Sequence, residues 1–112
     1  MKILIAEDND SNYSLVKHIL KEYQITRVVN GVEAVEKVRN EKFDIVLMDM
    51  KMPIMGGLEA TRKIRELNPL IPIIALTANA FDADRVSAME AGCNAFLTKP
   101  LKKEELLELF SL

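Results

Sequence analysis

Phe43-Asp44-Ile45-Val46-Leu47-Met48-Asp49 is an apolar run closed by a carboxylate. The turn-forming stretch Lys51-Met52-Pro53-Ile54-Met55-Gly56-Gly57 follows almost at once. A short continuous apolar run bounded by turn residues is the pattern of a buried strand. A carboxylate at the carboxyl end of such a strand stands where open α/β sheets place their ligand chemistry. The same arrangement recurs on either side. The run Lys2 to Ala6 closes on Glu7 and Asp8, Ile71 to Leu76 closes on Thr77, and Ala95 to Thr98 is followed by Lys99-Pro100. Packing gives no reason for each interior strand to end on a group suited to phosphate or metal.

Between these runs the apolar period changes from continuous to helical. Leu15, Val16, Ile19, Leu20 and Tyr23 recur at helix spacing after the first strand. Ile25 to Val29 is a weaker strand, and Asn30-Gly31 leads into a helix bearing Ala34, Val35 and Val38. A helix over Gly57 to Arg65 ends ahead of Asn68-Pro69, and Pro72 is tolerated near the start of the fourth strand. A helix over Asp84 to Ala91 stops at Gly92, which supplies a left-handed cap, and a last helix runs from Lys103 to Phe110. Five strands alternating with five helices call for a parallel sheet covered on both faces. Right-handed crossovers leave the doubly wound, flavodoxin-like order 2-1-3-4-5 as the expected α/β fold. Its ligand crevice lies at the carboxyl ends of strands one and three, which here end in Glu7-Asp8 and Asp49. Fold logic and residue chemistry meet in one place.

The 112 residues suit a single domain spanning 1–112, with 49% hydrophobic and 29% charged residues. A net charge of -2 supplies no general attraction to nucleic acid, so no direct nucleic-acid contact is expected. No apolar stretch reaches the roughly 20 residues of a membrane span, and no signal-peptide pattern opens the chain. One cysteine, Cys93, excludes an internal disulfide and suits a reducing compartment, so the cytoplasm is expected.

Three crowded carboxylates repel one another unless a cation intervenes. Mg²⁺ takes a few carboxylates, keeps several waters and accepts a phosphate oxygen. Lys99 adds a point charge suited to phosphate, and Thr77 a hydroxyl donor. A carboxylate nucleophile opposite Mg²⁺ and a lysine is a layout for making an aspartyl phosphate.

With these residues in view, the chain resembles the receiver domain of two-component response regulators. The likeness spans essentially all of its length. It rests on Glu7-Asp8, on Asp49 with Met52-Pro53 and Gly57 after it, on Thr77-Ala78, and on Lys99-Pro100. Gly57-Leu58-Glu59-Ala60-Thr61-Arg62 and Ala75-Leu76-Thr77-Ala78-Asn79-Ala80 resemble receivers fused to hybrid sensor kinases. The resemblance implies that Asp49 accepts phosphate from a histidine kinase or histidine phosphotransfer protein, assisted by Lys99 and Thr77. It implies Mg²⁺ on Asp8, Asp49 and the Lys51 backbone carbonyl, with Glu7 acting through water. It further implies a cis Lys99-Pro100 bond, with Thr77 and Phe96 reporting the modification to a downstream effector and the 79–83 loop following them. Three features depart from the family pattern. Gly56 replaces an aspartate and frees the loop after Asp49, the connection Glu22-Tyr23-Gln24-Ile25 is short and lacks a glycine, and the last helix ends by Leu112, a turn or two early.

Other functions are weighed against the same residues. A phosphatase working through an aspartyl phosphate usually carries a second aspartate two residues on, where Lys51 stands. Flavin binding would need a phosphate-cradling loop, and Glu7-Asp8-Asn9-Asp10 would repel phosphate. A module that had lost phosphorylation would have no use for the complete set of groups. A switch rather than an enzyme is expected. His18 beside Lys17 and Lys21 is expected on a solvated face, Cys93 as a small buried residue, and the four methionines from Met48 to Met55 as packing and loop residues.

Overall fold

The computed structural model describes residues 1–78 and 82–110. The 79–83 loop expectation therefore lies largely outside the described residues. Strands β1 (Lys2–Ala6), β2 (Gln24–Val28), β3 (Ile45–Asp49), β4 (Ile73–Thr77) and β5 (Ala95–Thr98) form one parallel sheet in the order β2-β1-β3-β4-β5. Helices α1 (Asp10–Ile19), α2 (Gly31–Asn40), α3 (Gly57–Leu67), α4 (Asp82–Ala91) and α5 (Lys103–Phe110) alternate with them. This is the expected doubly wound topology.

Side chains alternate across a strand, so each central strand feeds two cores. Ile3, Ile5, Leu47 and Leu76 pack with Val16, Leu20 and Leu106 against α1 and α5. Leu4, Ala6, Val46, Met48 and Ala75 pack with Ala34, Ala60, Ile64 and Ala88 against α2, α3 and α4. Strands covered on both faces cannot show an apolar–polar alternation, which is why β1, β3 and β4 read as unbroken runs.

The element ends differ from expectation for local reasons. Tyr23 has helix spacing yet lies past the end of α1, where it meets Phe110 edge to face at 5.7 Å. Strand β2 starts at Gln24 and stops at Val28, one residue earlier than expected at each end. Its glycine-free approach still pairs all five of its residues with β1. The Val29 amide turns away to donate to Glu33 Oε1 at 3.0 Å. Strand β4 begins after Pro72, whose carbonyl accepts from the Val46 amide at 2.9 Å, and Asn68 Oδ1 caps the preceding turn by accepting from Leu70 and Ile71. Helix α3 runs on to Leu67, and α4 starts two residues early, at Asp82. Gly92 has φ of 118° and closes α4 with paired bonds, Gly92 to the Met89 carbonyl and Cys93 to that of Ala88.

At the amino edge of the sheet one guanidinium ties three connections together. Arg65 donates to the carbonyls of Gly92 (2.8 Å), Asn68 (3.2 Å) and Ile71 (2.6 Å), and to Asn94 Oδ1 (2.7 Å). Burial lowers the Arg65 pKa. Cys93 is buried beside it, its thiol pushed up by burial, and His18 is exposed. No helix among the described residues is long and apolar enough to cross a membrane.

Candidate functional site

The opposite, carboxyl edge of the sheet collects the residues singled out from the sequence. β1 and β3 are neighbours, so Glu7 and Asp49 emerge side by side from its centre. Glu7 is fully buried and Asp49 is 5% exposed. Asp8, one residue further along the turn, is exposed. Carboxylate oxygens from all three lie within 4.8 Å of one another. Lys99 reaches in from the end of β5, its Nζ 2.6 Å from Glu7 Oε1 and 3.3 Å from Asp49 Oδ1. The 2.6 Å approach is an ion pair whose angles fall outside hydrogen-bond geometry, so Glu7 Oε1 remains a buried oxygen with no directed donor.

One cation facing this many acids leaves the pocket short of positive charge. Burial is the largest cause of the raised Asp49 pKa, followed by a hydrogen bond and charge repulsion from Glu7. The Lys51 amide, donating to Asp49 Oδ1 at 3.2 Å, and the Lys99 ammonium pull the other way without prevailing. The result is about 7, against 3.8 ordinarily. Three hard oxygens, one exposed to water and one without a directed donor, fit a small divalent cation that retains part of its hydration. Such an ion would relieve the repulsion that raises Asp49.

Local backbone chemistry fixes this edge. Asn9 caps α1 by accepting from the Asn12 amide at 2.9 Å, while its own amide donates to Glu7 Oε2 at 3.3 Å. After Asp49 the chain makes a γ-turn: Met55 donates to the Pro53 carbonyl at 2.7 Å across Ile54, whose φ is 69°. A β-branched residue rarely adopts that conformation, and Ile54 is 83% exposed. Gly56 caps α3 without a side-chain bond. The loop it was expected to free is nevertheless tied by Gly31 to the Met55 carbonyl at 2.9 Å and by Gly57 to the Met50 carbonyl at 3.1 Å. Gly57 is required by proximity, because a Cβ there would lie 2.3 Å from the Asp49 carbonyl oxygen.

The remaining expected residues divide into two groups. Thr77 is buried at the end of β4, and its carbonyl accepts from the Lys99 amide at 2.7 Å. A small cavity of about 110 Å³ separates it from α4, lined by Met50, Lys51, Leu58, Asp84 and Ser87. Lys99-Pro100 is cis. Phe96 stands apart from the acids, paired with Ala75 and half-buried against the α2–α4 core. Asp10 and Asp44, which the site does not need, make an ion pair to Arg27 at 2.9 Å and accept from the Lys2 amide at 2.6 Å. Arg27 itself escaped notice in the sequence, although a lone arginine between Thr26 and Val28 in a strand is a visible signal. Its Nε donates to the Glu7 carbonyl at 3.0 Å.

Comparison with known proteins gives the family. The family model for the response regulator receiver domain matches residues 3–111. The Vibrio vulnificus autoinducer 2 sensor kinase/phosphatase LuxQ is 41% identical over 109 residues, covering 95% of this chain but only 13% of that protein. The chain thus spans a small part of the sensor kinases it matches. The polar-differentiation response regulator DivK of Brucella anthropi is 34% identical over 110 residues, covering 95% of this chain and 89% of DivK. Among solved structures, the receiver domain of a Pseudomonas aeruginosa sensor histidine kinase superposes with a TM-score of 0.92 at 38% identity, covering 98% of this chain and 93% of that one. That structure has a magnesium ion coordinated in its active site cleft. The chain belongs to the response regulator receiver domains, the phosphoryl-accepting switches of two-component signalling.

Proposed function

We propose that residues 1–112 form one receiver module in which Asp49 is the phosphoacceptor. The observation that supports this most directly is the placement of its buried carboxylate, 3.3 Å from the Lys99 ammonium and clustered with Glu7 and Asp8. Asp8, Asp49 and the Lys51 carbonyl would hold Mg²⁺, with Glu7 acting through water. The ion, when bound, neutralises phosphoryl oxygens and lowers the cost of bringing an anion to an acidic pocket. An Asp49 carboxylate oxygen then attacks phosphorus as the bond from phosphorus to the donor's imidazole nitrogen breaks, and the imidazole leaves with the bonding pair. Lys99 stabilises the equatorial charge, and the Thr77 hydroxyl donates to a phosphoryl oxygen.

The donor is a histidine kinase or a histidine phosphotransfer protein, and the acceptor state is read by a downstream effector protein or domain. Thr77 moving towards the phosphoryl group vacates space for Phe96, which has no hydroxyl and so responds through packing alone. The module works as a switch, assisting only its own phosphorylation and dephosphorylation. Its compartment is the cytoplasm, where kinases draw on ATP and Cys93 stays reduced.

The test is incubation with a small phosphodonor, with and without Mg²⁺, read by intact mass. One phosphoryl group should appear only with Mg²⁺ and not on Asp49→Asn. Stable, Mg²⁺-dependent phosphate on Asp49→Asn would refute the assignment.

A further inference from the structure

The turn carrying Glu7 and Asp8 is gripped from outside by a side chain that the phosphoryl chemistry does not use. Arg27 lies in edge strand β2, paired with Ile5. Its Nε donates to the Glu7 carbonyl at 3.0 Å and its Nη2 to Asp10 Oδ1 at 2.9 Å. The guanidinium carbon stands 4.4 Å from the centre of the Tyr13 ring. One planar fork therefore touches the backbone of the turn, the first residue of α1, and an aromatic ring one turn further along.

The carbonyl matters because of the peptide it belongs to. The Glu7 carbonyl and the Asp8 amide share one rigid plane, so fixing that oxygen orients the peptide from which Asp8 projects. The Asp8 side chain has no hydrogen-bond or ion-pair partner among the described residues, and its placement is a property of the backbone. The Glu7 amide is secured on its other side by the Val28 carbonyl at 3.0 Å. Without Arg27 the turn would keep that bond to β2 and lose its side-chain tie.

We propose that Arg27 is a positioning residue that fixes Asp8 relative to Glu7 and Asp49 and so sets the affinity for the divalent cation, an inference that rests on the Mg²⁺ site proposed above. The requirement is for arginine. A lysine offers a point charge on a flexible stem and cannot aim two fixed donors while lying over a ring. The ion pair to Asp10 contributes little by itself, since the Asp10 side chain is 91% exposed. The carbonyl bond and the Tyr13 contact carry the effect. Outer partners that orient metal ligands are commonly worth about 10–100-fold in affinity.

Calorimetric titration with Mg²⁺ alone, on wild type, Arg27→Lys, Arg27→Ala, Asp10→Asn and Asp8→Asn, tests this. Arg27→Ala should bind about tenfold more weakly. Arg27→Lys should also bind more weakly, and Asp10→Asn should stay close to wild type. In metal-free protein, the Asp8 and Asn9 amides of Arg27→Lys should exchange with solvent faster. The Mg²⁺ concentration giving half-maximal phosphorylation should rise in parallel, while the rate at saturating Mg²⁺ falls far less. Arg27→Lys keeps the charge and stem, and serves if Arg27→Ala does not fold. Folded Arg27 variants that match wild-type affinity would overturn the proposal alone. Wild type binding Mg²⁺ no better than Asp8→Asn would overturn the site assignment and the proposal with it.

Discussion

Replacing Asp49 by asparagine should stabilise the metal-free protein, and by an amount that depends on pH. The folded Asp49 titrates at about 7, whereas an ordinary aspartate titrates at 3.8. Between those values the folded state holds a proton that the unfolded chain has released, so stability falls as pH rises. Each unit costs about 1.4 kcal/mol, giving a ceiling of about 4 kcal/mol over the window. Water reaches the crevice beside the exposed Asp8 and screens the repulsion, so a loss of about 2 kcal/mol is the working expectation. Asparagine keeps the shape and the neutrality of the protonated acid and leaves Lys99 paired with Glu7. Groups such as the exposed His18 are common to both proteins and cancel in the difference. Urea unfolding in excess EDTA, followed by circular dichroism from pH 4 to 8, should show the two proteins drawing together towards pH 4, near the ordinary aspartate value of 3.8. By pH 8 the variant should lead by about 2–4 kcal/mol. A difference that stays constant across this range, or a variant less stable at pH 8, would refute the claim that a buried, repelled carboxylate sits at this position.

Four further outcomes are expected. Millimolar Mg²⁺ should raise the wild-type Tm by selective binding to the native state, and Asp8→Asn should lose most of that gain, as thermal scans with and without the ion would show. Gly57→Ala should cost about 1–3 kcal/mol in chemical unfolding, because its Cβ would meet the Asp49 carbonyl at 2.3 Å and the Met50 Cα at 2.9 Å. Arg65→Ala should cost about 3 kcal/mol by leaving several carbonyls without their donor, again by urea unfolding. Thr77→Ala should bind Mg²⁺ normally yet lose the NMR shift changes around Phe96 that a beryllofluoride mimic induces in wild type; retention of the full pattern would disprove the coupling.

Strand order and the placement of Glu7, Asp8, Asp49 and Lys99 were legible because they follow from rules of small number. Parallel crossovers have one hand, and ligands gather where strands end, so four residues 92 positions apart at the extremes are assigned to one crevice by sequence order alone. What the sequence concealed depends on competition between neighbours. Tyr23 keeps the helical period past the end of α1, and nothing in its spacing announces that the chain has already turned. Val29 has strand propensity, yet Glu33 claims its amide from four residues away. Gly56 pointed to a loose loop, but the bonds that tie the loop come from Gly31 and from Gly57 to backbone carbonyls. Carbonyls carry no sequence signal. Arg27 was passed over for the same reason, since its partner is the main chain of Glu7.

The Arg65 cluster has a mechanical consequence. It binds the end of α3, the approach to β4 and the link from α4 to β5 at the edge of the sheet remote from Asp49. A layer pinned at this rim can tilt about it more readily than slide past it, like a page bound along its spine. If the switching proposed for Thr77 occurs, the displacement would be smallest at the rim that Arg65 ties. The guanidinium would thus act as a fulcrum, converting a shift at one hydroxyl into a tilt of the outer layer.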